Sequence, residues 1–290
     1  MARLSERFPD NAAGEFFVDR SCIDCDTCTL VAPGLFEEAD DHSFVGRQPQ
    51  TESEHRRALM ALVACPTASI GTVSHLDTTS GVQGFPEPIG DGVYFLGFTS
   101  KDSYGAWSYL VRRPEGNVLI DSPRAASPLL KGIEALGGAR LLFLTHRDDV
   151  ADHEALHARF GCERVLHQDD VTAGTRGVER RIEGREPVRL APDLLAIPVP
   201  GHTPGHTVLL YQERILFTGD HLAWSPERGH LYAFRRACWY SWPEQIVSME
   251  SLLEHRFERI LPGHGAGWQA PSAAAMRAEV EHCIAWMKGR

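Results

Sequence analysis

At 290 residues the chain has room for one large domain, or for a small domain beside a larger one. Its 43% apolar and 23% charged residues are those of an ordinary globular protein, and a formal net charge of −10 argues against a nucleic-acid surface, which relies on clustered Lys and Arg. No run of about 18 apolar residues is present, so no membrane span is expected, and the opening MARLSERFPDNAAGEFF has neither an apolar signal core nor a basic amphipathic stretch, so a cytoplasmic protein is expected.

Composition divides the chain into three stretches. Residues 1–72 hold four of the seven cysteines: Cys22, Cys25, Cys28 and Cys65. The other three (Cys162, Cys238, Cys283) are scattered singly and read as core thiols, which fits a reducing compartment. Residues 73–90, rich in Gly, Pro, Ser and Thr, read as a linker. From Asp91 onward, short β-type runs alternate with helical spacing. Strands are expected over Gly92–Gly97, Ser108–Arg113 and Asn117–Asp121. A helix is expected over Ala126–Leu136, stopped by Gly137-Gly138. The apolar strand Leu141–Thr145 runs into His146. Helix and strand recur at Glu154–Phe160 and Arg164–His167, and a hairpin at Thr207–Tyr211 and Arg214–Thr218. A helix at Pro243–His255, a strand at Arg259–Leu261 and a final helix at Ala273–Lys288 complete an α/β layered domain of about 200 residues.

Cys22-Ile-Asp-Cys25-Asp-Thr-Cys28 is a C-x2-C-x2-C run, which lets one tight loop offer three thiolates to a cubane cluster, and Cys65-Pro66 offers a fourth. Two-cluster ferredoxins carry a further Cys-Pro after the triplet, where this chain has Ala32-Pro33, so one cluster is expected. The same four thiolates also suit a structural zinc ion. The triplet, the Ala-Pro and the distant Cys-Pro together resemble single-cluster bacterial-type ferredoxins over residues 1–72. That resemblance implies a small α+β domain with one [4Fe–4S] cluster, either electron-carrying or structural.

Four later stretches place His and Asp where strands end. They are Thr145-His146-Arg-Asp148-Asp149-Val-Ala-Asp152-His153, Pro200-Gly201-His202-Thr203-Pro204-Gly205-His206, Phe217-Thr218-Gly219-Asp220 and Leu261-Pro262-Gly263-His264. Imidazole and carboxylate ligands suit zinc, iron or manganese. In this order the stretches resemble the T-H-x-H-x-D-H, P-G-H-T, T-G-D and P-G-H signatures of the metallo-β-lactamase superfamily. The resemblance covers residues 91–290 and implies an αββα sandwich, preceded here by the ferredoxin-like domain, with one or two zinc or iron (or manganese) ions. Carried over, it implies that His146 and His202 bind one ion and His264 the other, that Asp220 bridges them, and that Asp152 and His153 complete the second site. The resemblance further implies that Asp152 orients the attacking water in a hydrolase, that His206 orients a ligand or closes its loop, and that Asp121 supports the first loop. The pattern departs at Asp148, which stands where the superfamily has a second His, and two extra residues precede Asp152. A carboxylate there favours iron or manganese, and Asp149 offers itself as a substitute ligand.

Three functions follow as expectations. The first is hydrolysis of a small (thio)ester-like substrate. The second is non-haem iron oxidoreductase chemistry fed through the cluster, and the third a redox sensor without catalysis. The stretch 221–242 carries Trp224, Tyr232, Phe234, Trp239, Tyr240 and Trp242 beside Arg235 and Arg236. It reads either as a wall for an anionic small molecule or as packing for the N-terminal domain. A redox partner for the cluster and a homo-oligomer are both compatible with the composition.

Overall fold

A computed structural model describes residues 1–289. The chain forms two compact units, Met1–Arg140 with Ala151–Gly161, and Leu141–Val150 with Cys162–Arg290. In the first unit β1 (Phe16–Val18) precedes α1 (Thr27–Val31), the hairpin β2 (Phe36–Glu38) and β3 (Ser43–Val45), helix α2 (Glu52–Ala64) and β4 (Ile70–Thr72). β1 pairs antiparallel with β4, Val18 opposite Ile70. This pairing brings the cysteine triplet, just after β1, beside Cys65, just before β4. Helix α2 has no internal Gly or Pro. Its N-terminus is closed by a capping box in which Thr51 Oγ1 accepts from Glu54 N–H and the Glu54 carboxylate accepts from Thr51 N–H. It ends where Cys65 turns extended ahead of Pro66, as a residue before proline tends to do.

Residues 73–90, expected as a linker, are folded. Helix α3 (Thr79–Val82) lies so close to α2 that a Cβ on Gly81 would stand 2.6 Å from the Leu59 backbone. The edge strand β5 (Glu87–Pro88) then opens an antiparallel run through β6 (Val93–Phe95), β7 (Tyr109–Val111) and β8 (Val118–Ile120). Helix α4 (Ser127–Ala135) and the returning helix α5 (His153–Phe160) complete this unit.

In the second unit β9 (Leu141–Phe143), β10 (Glu163–His167) and β11 (Arg180–Ile182) run parallel. A second ladder is built from β12 (Val188–Ala191), β13 (Leu194–Pro198), β14 (Thr207–Tyr211) and β15 (Ile215–Gly219). The hairpin β16 (Ala223–Ser225) and β17 (His230–Tyr232), helix α6 (Trp242–Ser251), β18 (Arg259–Pro262), β19 (Trp268–Gln269) and α7 (Ala273–Lys288) follow. The strand order is β12-β13-β14-β15-β18-β19. β13, β14 and β15 alternate in direction and β15 runs parallel to β18. The C-terminal ends of β13, β15 and β18 therefore share one sheet edge, where the loops carrying His202, Asp220 and His264 emerge. Behind them Leu210, Leu216 and Ile260 pack with Met249, Met276 and Ile284 in one buried cluster. Each such side chain contributes about 1.5–3 kcal/mol by leaving water, which holds the edge rigid.

Candidate metal centres

The N-terminal cysteines converge. Cys22, Cys25, Cys28 and Cys65 line one pocket together with Val18 and Ile70. Asp24 and Asp26 take left-handed backbone conformations (φ 56° and 58°), so the triplet loop turns back on itself and aims its sulfurs inward. Backbone amides point at sulfur, among them Asp24 N–H at Cys22 Sγ (3.5 Å) and Ser69 N–H at Cys65 Sγ (3.3 Å). Burial pushes the Cys25 thiol up to about 11, and raises Cys28 and Cys22 as well. Free thiolates are costly in such a place, whereas thiolates bound to iron are neutralised there and steadied by the amides. A Cβ on Gly105 (φ 85°) would meet Cys25 Sγ at 2.8 Å, and Thr27 Oγ1 donates to Gly105 carbonyl at 3.2 Å. Glycine is what lets this backbone close over the cysteine loop.

The second constellation lies at the sheet edge of the C-terminal unit. His146 Nε2 and His202 Nε2 are each 3.8 Å from Asp220 Oδ2. Asp148 Oδ2 is 3.5 Å from His202 Nε2 and 4.0 Å from His146 Nε2. Both Nε2 atoms are buried and have no hydrogen-bond partner among the described residues. Two unpartnered Nε2 atoms facing two carboxylates fit a divalent cation, since ligands of a tetrahedral zinc lie about 3.4 Å apart. Asp149, 1% exposed, adds a second grouping with His146 and Asp220. Asp220 Oδ1 accepts from His264 Nδ1 at 2.8 Å when that nitrogen carries the proton. A Cβ on Gly263 would stand 2.9 Å from both Asp149 Oδ2 and Asp220 Oδ1, so the P-G-H glycine is what leaves room for these carboxylates.

Burial depresses His146 to about 4, against the opposing pull of Asp220. The same desolvation lowers His206 well below its ordinary value and His221 to about 3, so all three imidazoles are neutral at physiological pH. Burial disfavours the Asp220 anion, but His264, by charge and hydrogen bond, more than offsets this and holds its carboxyl below the usual carboxylate range. Asp148 is held below the usual carboxylate range mainly by its contact with His202.

Comparison with known proteins gives two matches of different extent. Residues 18–72 match the family described as the 4Fe-4S single cluster domain of Ferredoxin I. The chain aligns over 70% of its length with 98% of a metallo-β-lactamase from Pontibacter korlensis, at TM-score 0.54 and 18% identity. It likewise aligns over 68% of its length with 95% of the DIM-1 metallo-β-lactamase, at TM-score 0.51 and 15% identity. The chain joins a single-cluster ferredoxin domain to a metallo-β-lactamase fold. A hydroxyacylglutathione hydrolase from Anaeromyxobacter dehalogenans is 33% identical over 132 residues, 43% of this chain and 48% of that protein. The chain thus spans about half the length of the curated relative it matches.

Within the metallo-β-lactamase fold, His146, Asp148, His202, Asp220 and His264 meet at the sheet edge. His206 lies behind them. Its ring stacks on His146 with centroids 4.9 Å apart, and its Nε2 accepts the Asp220 N–H at 3.1 Å, which pins the loop after β15. Asp152 and His153 belong to the first unit. Asp152 Oδ2 accepts from Ala125 N–H at 2.7 Å, and His153 is buried in the first turn of α5. Neither joins the two ligand groupings among the described residues. Asp121 is buried at the end of β8 with φ 56°.

Two residues outside the sequence expectations are prominent. Asp170, 1% exposed, accepts from Arg147 N–H (3.1 Å), Thr203 Oγ1 (2.5 Å) and Gly205 N–H (2.9 Å). One carboxylate thereby fastens the His146 loop to the His202 loop. Its only sequence signal is an acid just past the end of an apolar strand. His221 is fully buried beside His206, and neither ring nitrogen has a hydrogen-bond partner among the described residues. The aromatic stretch is zipped to the second loop. Trp239 N–H and Tyr240 N–H both donate to the His202 carbonyl, and Ser241 N–H donates to that of Gly201. Trp239 stays 62% exposed with its ring 6.3 Å from that of His202.

Proposed function

We propose that this chain is a metal-dependent hydrolase of a small ester or thioester that also carries a [4Fe–4S] cluster, with the catalytic part occupying residues 91–290. The observation that carries the reading is the set of buried Nε2 atoms of His146 and His202 facing the carboxylates of Asp220 and Asp148 at 3.5–4.0 Å. His146, His202, Asp220 and Asp148 would hold one ion; Asp149, grouped with His146 and Asp220, and His264, against Asp220 Oδ1, are the residues that would hold a second. A divalent ion at such a place polarises a carbonyl and brings the pKa of water near neutrality. Asp220 stays ionised and His206 neutral, so the ligand loops keep one protonation state across the working pH range. Trp239 and Tyr240, exposed beside His202, would face the acyl part of the substrate, and Arg235 and Arg236 its anionic part.

The hydroxyacylglutathione hydrolase relative supports a thioester as the first substrate to try. Hydroxyacyl-glutathione thioesters should release free thiol in the presence of the zinc-loaded protein; no release above the buffer rate with any divalent metal would overturn the reading. A second reading, a non-haem iron oxidoreductase fed by the cluster, is favoured by one feature. Two imidazoles with carboxylates form the ligand type of oxygen-activating ferrous sites, and Asp148 replaces the usual imidazole. Anaerobic metal analysis separates the two: about four irons with zinc supports hydrolysis, and iron well beyond four supports redox chemistry.

A further inference from the structure

We infer that Arg124 couples cluster binding at Cys65 to the setting of Asp152, so that the ferredoxin domain and this carboxylate share one linked equilibrium. The path runs entirely within the first unit. Cys65 is the residue at which α2 ends, and the two carbonyls before it are claimed from outside the ferredoxin domain. Arg124 Nη2 donates to Val63 carbonyl at 3.0 Å, and the buried Thr99 Oγ1 donates to Ala64 carbonyl at 2.7 Å. Carbonyls at a helix C-terminus lack intrahelical partners, so these donors fix the direction in which Cys65 leaves the helix. Arg124 is held in turn by its own N–H to Phe98 carbonyl at 2.9 Å, with its guanidinium 5.7 Å from the Phe98 ring. The next residue, Ala125, donates its N–H to Asp152 Oδ2.

One side-chain-bearing residue on this path, Phe98, has a left-handed backbone (φ 46°). A bulky residue adopts that region only where its surroundings over-determine it, so the junction is a tightly specified geometry and not loose packing. A shift of Cys65 displaces the Arg124 side chain, and a shift of Arg124 carries the Ala125 N–H from Asp152. Linkage makes the coupling reciprocal: whatever holds Asp152 must also hold the cluster.

The inference rests on the ferredoxin assignment and is independent of which ion the second unit binds. It is tested on the full, anaerobically purified chain by following the loss of the cluster's visible absorption in a chelator. Arg124→Ala and Asp152→Ala should each lose the cluster about tenfold faster than the parent, and the double variant no faster than Arg124→Ala alone, because sites on one path are not additive. Arg124→Lys, which keeps a donor for Val63 carbonyl, should restore the parent rate. Arg159→Ala, which removes an exposed ion pair with Glu134 on the same unit, should leave the rate unchanged. Parent-like cluster loss in Asp152→Ala, or full additivity of the two substitutions, would overturn the coupling. Were Arg124→Ala not to fold, Asp152→Ala set against Arg159→Ala still decides the question. A parent protein without cluster absorption would instead refute the ferredoxin reading.

Discussion

The Oδ2 of Asp148 lies 3.5 Å from Nε2 of His202, nearer than the Asp220 oxygen at 3.8 Å. Asp148 thus presents a carboxylate to the buried His202 and His146 nitrogens. Removing it by Asp148→Ala should weaken metal binding by about 10–100-fold, and Asp148→His should move the preference from iron or manganese toward zinc. Competition titrations with a chelator for each metal check both outcomes.

Cys65→Ser should remove the cluster iron, about four atoms per chain, and with it the signal seen by electron paramagnetic resonance after reduction. Cys283→Ser, in the buried face of α7, should cost stability and leave the iron count unchanged. Equal iron in the parent and Cys65→Ser would exclude Cys65 as a ligand.

Asp170→Ala leaves three donors without their acceptor. The expected loss is roughly 2–4 kcal/mol of folding stability, since each buried unsatisfied donor costs about 1–3 kcal/mol and the site relaxes in part. Because Asp170 joins the loops that carry His146 and His202, metal affinity should fall with it if these residues hold the ion. A urea midpoint and a metal titration on one sample measure the two effects.

Acid should destabilise the metal-free protein early. His146 (about 4) and His221 (about 3) are neutral when folded but take up protons below about 6.5 when unfolded. The unfolded state then binds the more protons, so stability falls as pH drops from about 6.5 to about 4, by roughly 1.4 kcal/mol per pH unit for each histidine. Below about 4 the His146 contribution levels off. Burial lowers His206 in the same sense, so His221→Phe should remove roughly a third of the slope in denaturant titrations from pH 7 to pH 4; an unchanged slope would place the protons elsewhere.

Arg236→Ala and Trp239→Ala should raise KM for an anionic thioester about tenfold with little change in kcat, as expected when a binding contact is lost that substrate and transition state share. Steady-state kinetics with one charged and one neutral substrate separate the guanidinium from the indole.

Much of this architecture was legible in the residues. Ala273–Lys288 is a helix over its whole expected span, and the four loops that end in His or Asp leave strands as expected. Periodicity is strong there and the turn residues agree with it. The pairing β12–β13 and the hairpin β16–β17 escaped because short strands with mixed exposure carry little alternation. Residues 73–90 hid α3 behind Gly, Thr and Ser, which signal loops unless a neighbour such as α2 rewards close approach. Asp149 was named only as a substitute ligand, since spacing alone does not reveal that Gly263 makes room for its carboxylate. Asp170 was invisible because its role lies in donors, two backbone amides and one hydroxyl, from two distant loops.

The amides of Trp239 and Tyr240 share the His202 carbonyl, and that of Ser241 continues the fastening at Gly201. Insertions or deletions between Cys238 and Ser241 would therefore drag on a side chain at the sheet edge, so this segment has little freedom to diversify in length during evolution. The exposed tip of the β16–β17 hairpin, residues 226–229, has no such tether. Descendants of this protein that acquire new preferences should lengthen there and change only the identity of the aromatic tips.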